Sequence, residues 1–244
     1  MGTALVHYTA AAASDRGRKR PSNQDAVGYS IEHGIYVLCD GMGGAAAGEV
    51  ASSTAVTEIM QHLTHRDAAA PLLQAALAAI RDANHAIFSR AERVRKLRGM
   101  GTTMVALVVD DHRAWVLNIG DSRCYLLRDQ HLQQVSHDHS LVDEEVRMGR
   151  MTPAEALRSP YRNVITRALG THGAVEADIF EVETEPGDLF LLCSDGLTRE
   201  IDDLLIEGIL SLTLPLGDLC DHLIDAANHA GGHDNITCLL ARAE

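Results

Sequence analysis

TTMVALVVDDHRAWVLNIGDSRCYLLR, residues 102–128, decides the fold class. It holds three short apolar runs, 102–109, 114–119 and 124–128, each bounded by polar or turn-forming residues, the pattern of buried strands. The first link is Asp110-Asp111-His112-Arg113 and the second is Gly120-Asp121-Ser122. Links this short join antiparallel neighbours, because a parallel crossover needs a dozen residues or more. The stretch therefore predicts a meander of three strands. Working outward, runs at 35–39, 189–193 and 236–240 read as further strands. Apolar positions at helical spacing predict helices over 49–63, 71–97, 204–212 and 216–230. Helices in pairs, separated by a block of strands, define an α+β layered domain. Residues 136–170 are polar and irregular, with a short helix predicted over 141–148; an insert of that length inside a compact domain is commonly functional.

The 244 residues show no composition shift, so 1–244 reads as a single domain. With 46% hydrophobic and 23% charged positions the chain can fill a core, which excludes disorder. A formal charge of −13 disfavours nucleic acid as a partner. No run approaches the roughly 18 apolar residues of a membrane span. The basic cluster near residues 16–20 follows a weakly apolar stretch, the reverse of a secretory signal, so the cytoplasm is the expected compartment. Cys39, Cys124, Cys193, Cys220 and Cys238 are odd in number, lack a C-x-x-C pair and lie mostly in apolar runs, as small buried thiols do.

Two strand ends look alike: Val37-Leu38-Cys39-Asp40-Gly41 and Leu192-Cys193-Ser194-Asp195-Gly196 each finish on an Asp-Gly pair. Asp-Gly is also a common turn dipeptide, so ordinary strand exits explain both equally well. Three more aspartates stand at predicted strand edges: Asp25 in Asn23-Gln24-Asp25, Asp121 in Gly120-Asp121-Ser122-Arg123, and Asp234 in Gly232-His233-Asp234-Asn235. If these five carboxylates met in one cleft they would repel, and a hard divalent cation, magnesium, manganese or calcium, would remove the problem. Spacing alone leaves both readings open.

Eight segments in order carry a resemblance. They are R-x-x-N-Q-D-A (20–26), L-C-D-G-M-G-G (38–44), G-x-x-A-S (48–52), M-G-T-T (100–103), G-D-S-R (120–123), D-H-S (138–140), C-S-D-G-L-T (193–198) and G-x-D-N-I-T (232–237). The chain resembles the metal-dependent serine/threonine protein phosphatases of type 2C, in their compact bacterial form, over nearly all its length. The resemblance implies a four-layer α-β-β-α sandwich of two antiparallel sheets flanked by helix pairs. It implies hydrolysis of phosphoserine and phosphothreonine by a metal-activated water at a binuclear Mn²⁺ or Mg²⁺ centre. In that pattern Asp40 bridges the two ions, the Gly41 carbonyl binds one, and Asp195 and Asp234 complete the shell of the other. Asp25 holds metal-bound water, Asp121 with Asp195 matches a weaker third metal position, and Arg20 grips the substrate phosphate. Residues 136–170 match the flap beside the cleft. The implied partners are phosphorylated proteins and a cognate Ser/Thr kinase, with the enzyme acting as a monomer in signal transduction.

The residue types agree with that chemistry, which needs no protein nucleophile. No Cys-x5-Arg loop is present, and GMGG lacks the Lys-Ser/Thr of a nucleotide-binding loop. Met42 and Ala45 stand at positions where relatives offer a histidine, which leaves protonation of the leaving group to metal-bound water. Gln24 replaces an acid found in many relatives. His137, His139 and His233 read as structural or surface groups. Two other readings are a phosphoprotein-binding regulator without activity, opposed by the presence of Asp40, Asp195 and Asp234, and a phosphatase of small phosphorylated metabolites.

Overall fold

The computed structural model describes residues 7–44, 47–67, 69–110 and 113–244. In chain order the strands and helices are β1 (Tyr8–Asp15), β2 (Asp25–Ser30), β3 (Ile35–Met42), α1 (Ala47–Thr64), α2 (Leu72–Arg93), β4 (Gly101–Thr102), β5 (Met104–Asp110), β6 (Arg113–Ile119), β7 (Arg123–Arg128) and β8 (His131–Gln134). The chain continues through α3 (Leu141–Arg147), α4 (Pro153–Arg158), β9 (Asp178–Glu183), β10 (Leu189–Cys193), α5 (Asp195–Thr198), α6 (Asp203–Leu210), α7 (Leu216–Ala230) and β11 (Ile236–Ala243). Among the described residues the strands make two antiparallel sheets. One is ordered β1-β11-β10-β7-β8, and the other β2-β3-β5-β6-β9 with β4 beside β3.

Side-chain alternation explains why the central strands read as continuous apolar runs. On β3, Ile35, Val37 and Cys39 face α1 and α2, while Tyr36 and Leu38 face the opposite sheet. On β10, Leu191 and Cys193 pack under α6 and α7, and Phe190 and Leu192 meet Tyr36 and Leu107 between the sheets. Three apolar layers thus separate four layers of structure, and both faces of each central strand are dry. The expected α-β-β-α sandwich is what the chain forms.

The β5–β6 hairpin forms as expected, closing at Asp110 opposite Arg113; its link, residues 111–112, lies outside the described residues. The three-strand meander does not form. At Gly120-Asp121-Ser122 the chain leaves one sheet for the other, and β7 pairs with β10 and β8 instead of β6. Gly120 makes this crossing at φ 106°, where a Cβ would run into Thr103. The helix expected over 71–97 ends at Arg93: Val94 is extended at φ −112°, ψ 102°, and a single 3₁₀ turn follows at Arg95–Leu97. The cysteines are free and buried, as expected. Among the described residues no helix is long and apolar enough to cross a membrane.

Candidate active site

The two Asp-Gly strand exits come together where the sheets splay apart. Asp40, near the end of β3, lies directly opposite Asp25, the first residue of β2. Hydrogen bonds hold Asp40 on both sides: its N–H donates to Thr103 Oγ1 at 3.0 Å, and its carbonyl accepts from Thr103 N–H at 2.9 Å and from Thr102 Oγ1 at 2.8 Å. Gly41 donates to the Gln24 carbonyl at 3.1 Å, and any Cβ on it would strike the Gly48 carbonyl of α1. From the other sheet, Asp195 opens α5, and Ser194 beside it donates to Asp25 Oδ2 at 2.8 Å. A Cβ on Gly196 would meet the Asn235 carbonyl, so the turn before β11 packs tightly on this second exit and brings Asp234 to the cleft.

Asn235 ties these loops together. Its side chain accepts from Gln24 N–H at 2.8 Å and donates to the carbonyls of Arg16 and Ser22, each at 2.9 Å. The loop carrying Arg20 is thereby pinned to the Asp234 turn, and an Arg20 Nη2 reaches Asp234 Oδ2 at 2.6 Å. Arg20, Gln24, Asp40, Gly41, Met42, Thr103, Asp195, Arg199 and Asp234 are among the residues lining a cleft of about 430 Å³, joined from the 136–170 segment by Asn163 and Ile165.

Burial and mutual repulsion shape the charge of the cluster. Burial first, and then the Asp195 and Asp234 carboxylates, push Asp25 up to about 7, against hydrogen bonds from Thr237 and Ser194. Asp40 is raised well above the usual carboxylate range by burial and then by Asp25, Asp195, Asp121 and Asp234. Burial and Asp195 push Asp121 up to about 7. Asp195 is also raised by burial, although Arg199 pulls it down. Asp25 Oδ1, Asp121 Oδ1 and Asp195 Oδ1 are buried and accept no hydrogen bond. Unpartnered buried carboxylate oxygens that resist ionisation are the signature of a place built for cations, and an all-oxygen set suits hard divalent ones. Among the described residues no three His, Cys, Asp or Glu side chains already close on one point. An ion here would draw part of its shell from water and main-chain carbonyls.

The structure thus brings Arg20, Asp40, Gly41, Asp195 and Asp234 to one cleft, with Asp25 opposite Asp40 on the neighbouring strand and Asp121 held to Arg199 of the lining. Sequence reasoning missed Asn235, Thr103 and Arg199. The last stands four residues beyond Asp195, one helical turn away, and that spacing could have revealed it. Gln24 supports the GMGG turn, its amide donating to the Gly44 carbonyl at 2.8 Å. Met42 lines the cleft; Ala45 lies outside the described residues. The histidines near the motifs are structural. His139 is fully buried, accepts from Gly120 N–H at 3.1 Å and has Nε2 3.2 Å from Asp178; His137 packs edge-on against Phe180; His233 pairs with Glu200.

The family described as protein phosphatase 2C matches residues 14–238. The serine/threonine phosphatase stp of Listeria monocytogenes is 39% identical over 237 residues, which cover 95% of this chain and 94% of that protein. The crystal structure of the Mycobacterium tuberculosis serine/threonine phosphatase PstP/Ppp superposes with a TM-score of 0.91 at 40% identity, covering 98% of this chain and 100% of that one. The catalytic domain of the serine/threonine protein phosphatase PstP, in complex with two manganese ions, gives a TM-score of 0.88 at 38% identity over 98% of this chain and 99% of that one. This chain belongs to the protein phosphatase 2C family. It is accordingly an enzyme, a metal-dependent phosphoprotein phosphatase.

Proposed function

We propose that this chain removes phosphate from phosphoserine and phosphothreonine in proteins, acting as a cytoplasmic monomer that opposes a Ser/Thr kinase. The observation that carries the reading is the convergence of Asp25, Asp40, Asp195 and Asp234, with unpartnered buried oxygens on Asp25 and Asp195, beside the guanidinium of Arg20. Asp40, Asp195, Asp234 and the Gly41 carbonyl would hold two manganese or magnesium ions. When bound, such ions make a water acidic enough to deprotonate near neutral pH and offset charge on the phosphoryl oxygens.

The chain's own residues do the rest. Asp25 keeps Oδ2 on Ser194 and leaves Oδ1 free to orient water behind Asp40. Arg20 spends one nitrogen on Asp234, and the remainder of its planar fork is available to grip phosphate. Thr102 and Thr103 fix the Asp40 main chain, and with it the point from which the carboxyl projects. No imidazole, thiol, phenol or amine lines the cleft among the described residues, so the proton for the departing alkoxide comes from water.

Phosphate release from a phosphothreonine peptide, a phosphotyrosine peptide and a sugar phosphate, each with manganese, tests the substrate class. The phosphothreonine peptide is expected to lead by about tenfold or more in kcat/KM, on the order of 1.4 kcal/mol of discrimination. An equal or faster rate on the sugar phosphate would overturn it.

A further inference from the structure

Arg199 is spoken for by two carboxylates at once. It caps α5, with its N–H on the Asp195 carbonyl, and its side chain folds back toward the cleft. One nitrogen, Nη2, lies 2.6 Å from Asp195 Oδ2 and 3.1 Å from Asp121 Oδ2. Asp121 comes from the sheet-crossing turn after β6 and is 5% exposed; Asp195 comes from the opposite sheet and is 8% exposed. These are the two residues that the family resemblance pairs at a third metal position, so a positive group already bridges them here.

We propose that Arg199 is a tethered cation that takes the place of a third ion between Asp121 and Asp195, so that this chain binds two divalent ions and not three. The inference rests on the two-ion reading above. A guanidinium shared between two carboxylates satisfies one oxygen of each, with charge-assisted hydrogen bonds that a water could not match. It leaves Asp195 Oδ1 and Asp121 Oδ1 buried without a hydrogen bond. A divalent ion could enter between Asp121 and Asp195 only by displacing Arg199, because two cations at that separation repel strongly in a buried setting. The side chain reaches the pair from the solvent edge, with 35% of its surface exposed, so removing it opens a path without hollowing the core.

The test counts manganese bound per chain by equilibrium dialysis, with free Mn²⁺ read by electron paramagnetic resonance. The unmodified protein is expected to bind two ions. Arg199→Ala, or Arg199→Gln if the alanine variant folds poorly, is expected to gain one more, weaker ion, and adding Asp121→Asn to either is expected to remove it again. Three ions on the unmodified protein, no gain in the Arg199 variants, or a third ion that survives Asp121→Asn would each overturn the proposal. No manganese on the unmodified protein would instead sink the two-ion reading beneath it.

Discussion

Asp40 sits opposite Asp25 across a strand pair, and Asp195, Asp121 and Asp234 crowd it from beyond. Like charges opposed on neighbouring strands cost about 0.2 to 1 kcal/mol even at a surface, so a neutral side chain at position 40 relieves the metal-free fold. Asp40→Asn is therefore expected to melt no lower than the unmodified protein in chelator. In manganese it is expected to lose about a hundredfold or more in kcat, the scale of removing one charge-stabilising group. Thermal melts and steady-state kinetics on the same preparation check both halves. Arg20→Ala is expected to raise KM for a phosphothreonine peptide more than it lowers kcat, at a cost of about 1.5 to 3 kcal/mol, the range for a charge-assisted hydrogen bond. An unchanged KM with a collapsed kcat would put Arg20 on the transition state instead. The aspartates were legible in the sequence because each stands at or within two residues of a strand end, beside a turn-forming residue. For Arg199 only the contact to Asp195, four residues back, was legible; its second contact, to Asp121, lies 78 positions away in the chain and was not.

Residues 136–170 are anchored by two motifs locking onto each other. Arg123 of the G-D-S-R segment grips Asp138 of the D-H-S segment through Nε at 2.9 Å and Nη2 at 2.8 Å, and Ser140 accepts from Asp143 N–H to start α3. The far end is tied by Leu169 against Thr102. Asp138→Ala leaves Arg123, 28% exposed, without its carboxylate, and is expected to cost about 3 kcal/mol in urea unfolding, the low end for breaking a buried pair. A loss below about 0.5 kcal/mol, the range of ordinary surface substitutions, would mean the pair does not hold residues 136–170 in place. At this scale the sequence hid the edge strands. β1 reads Tyr8-Thr9-Ala10-Ala11-Ala12-Ala13-Ser14-Asp15, small residues with no apolar run, because one neighbour, β11, carries the packing. β9 is missed for a related reason: its Asp178-Ile179-Phe180-Glu181 alternation buries only one face. The β6–β7 link misled because a three-residue turn serves equally to make a hairpin or to cross between sheets. Only the packing of Tyr125, Leu126 and Leu127 settles which.

Across the whole molecule the carboxylate cluster sets a dependence on pH. Asp25 and Asp121 titrate near 7 in the folded protein and near the ordinary carboxylate value once unfolded. The folded state then binds more protons between those values, so the cluster's contribution to stability is full below about pH 4 and is lost as pH rises through about 7. The metal-free protein is expected to lose this contribution across that window, and the gain in melting temperature from manganese is expected to grow over the same window as protons stop competing for the oxygens. Melts from pH 4 to 8 with and without manganese check the sign. A manganese effect that shrinks as pH rises would reverse it. The four layers themselves were legible because both faces of β3, β5, β6, β10 and β11 are buried, which writes unbroken apolar runs into the chain. The cleft between them was legible only as a set of aspartates with no stated meeting point.

The measurement that bears most directly on metal-assisted hydrolysis is phosphate release from a phosphothreonine peptide after dialysis against chelator. The rate is followed first in excess chelator and then on return of manganese or magnesium. Turnover is expected to vanish in chelator and to return with either ion, because the cleft is lined by aspartates that would hold the ions and by no imidazole or thiol that could replace the metal-activated water. Full turnover in excess chelator would contradict the two-ion centre at Asp40, Asp195 and Asp234.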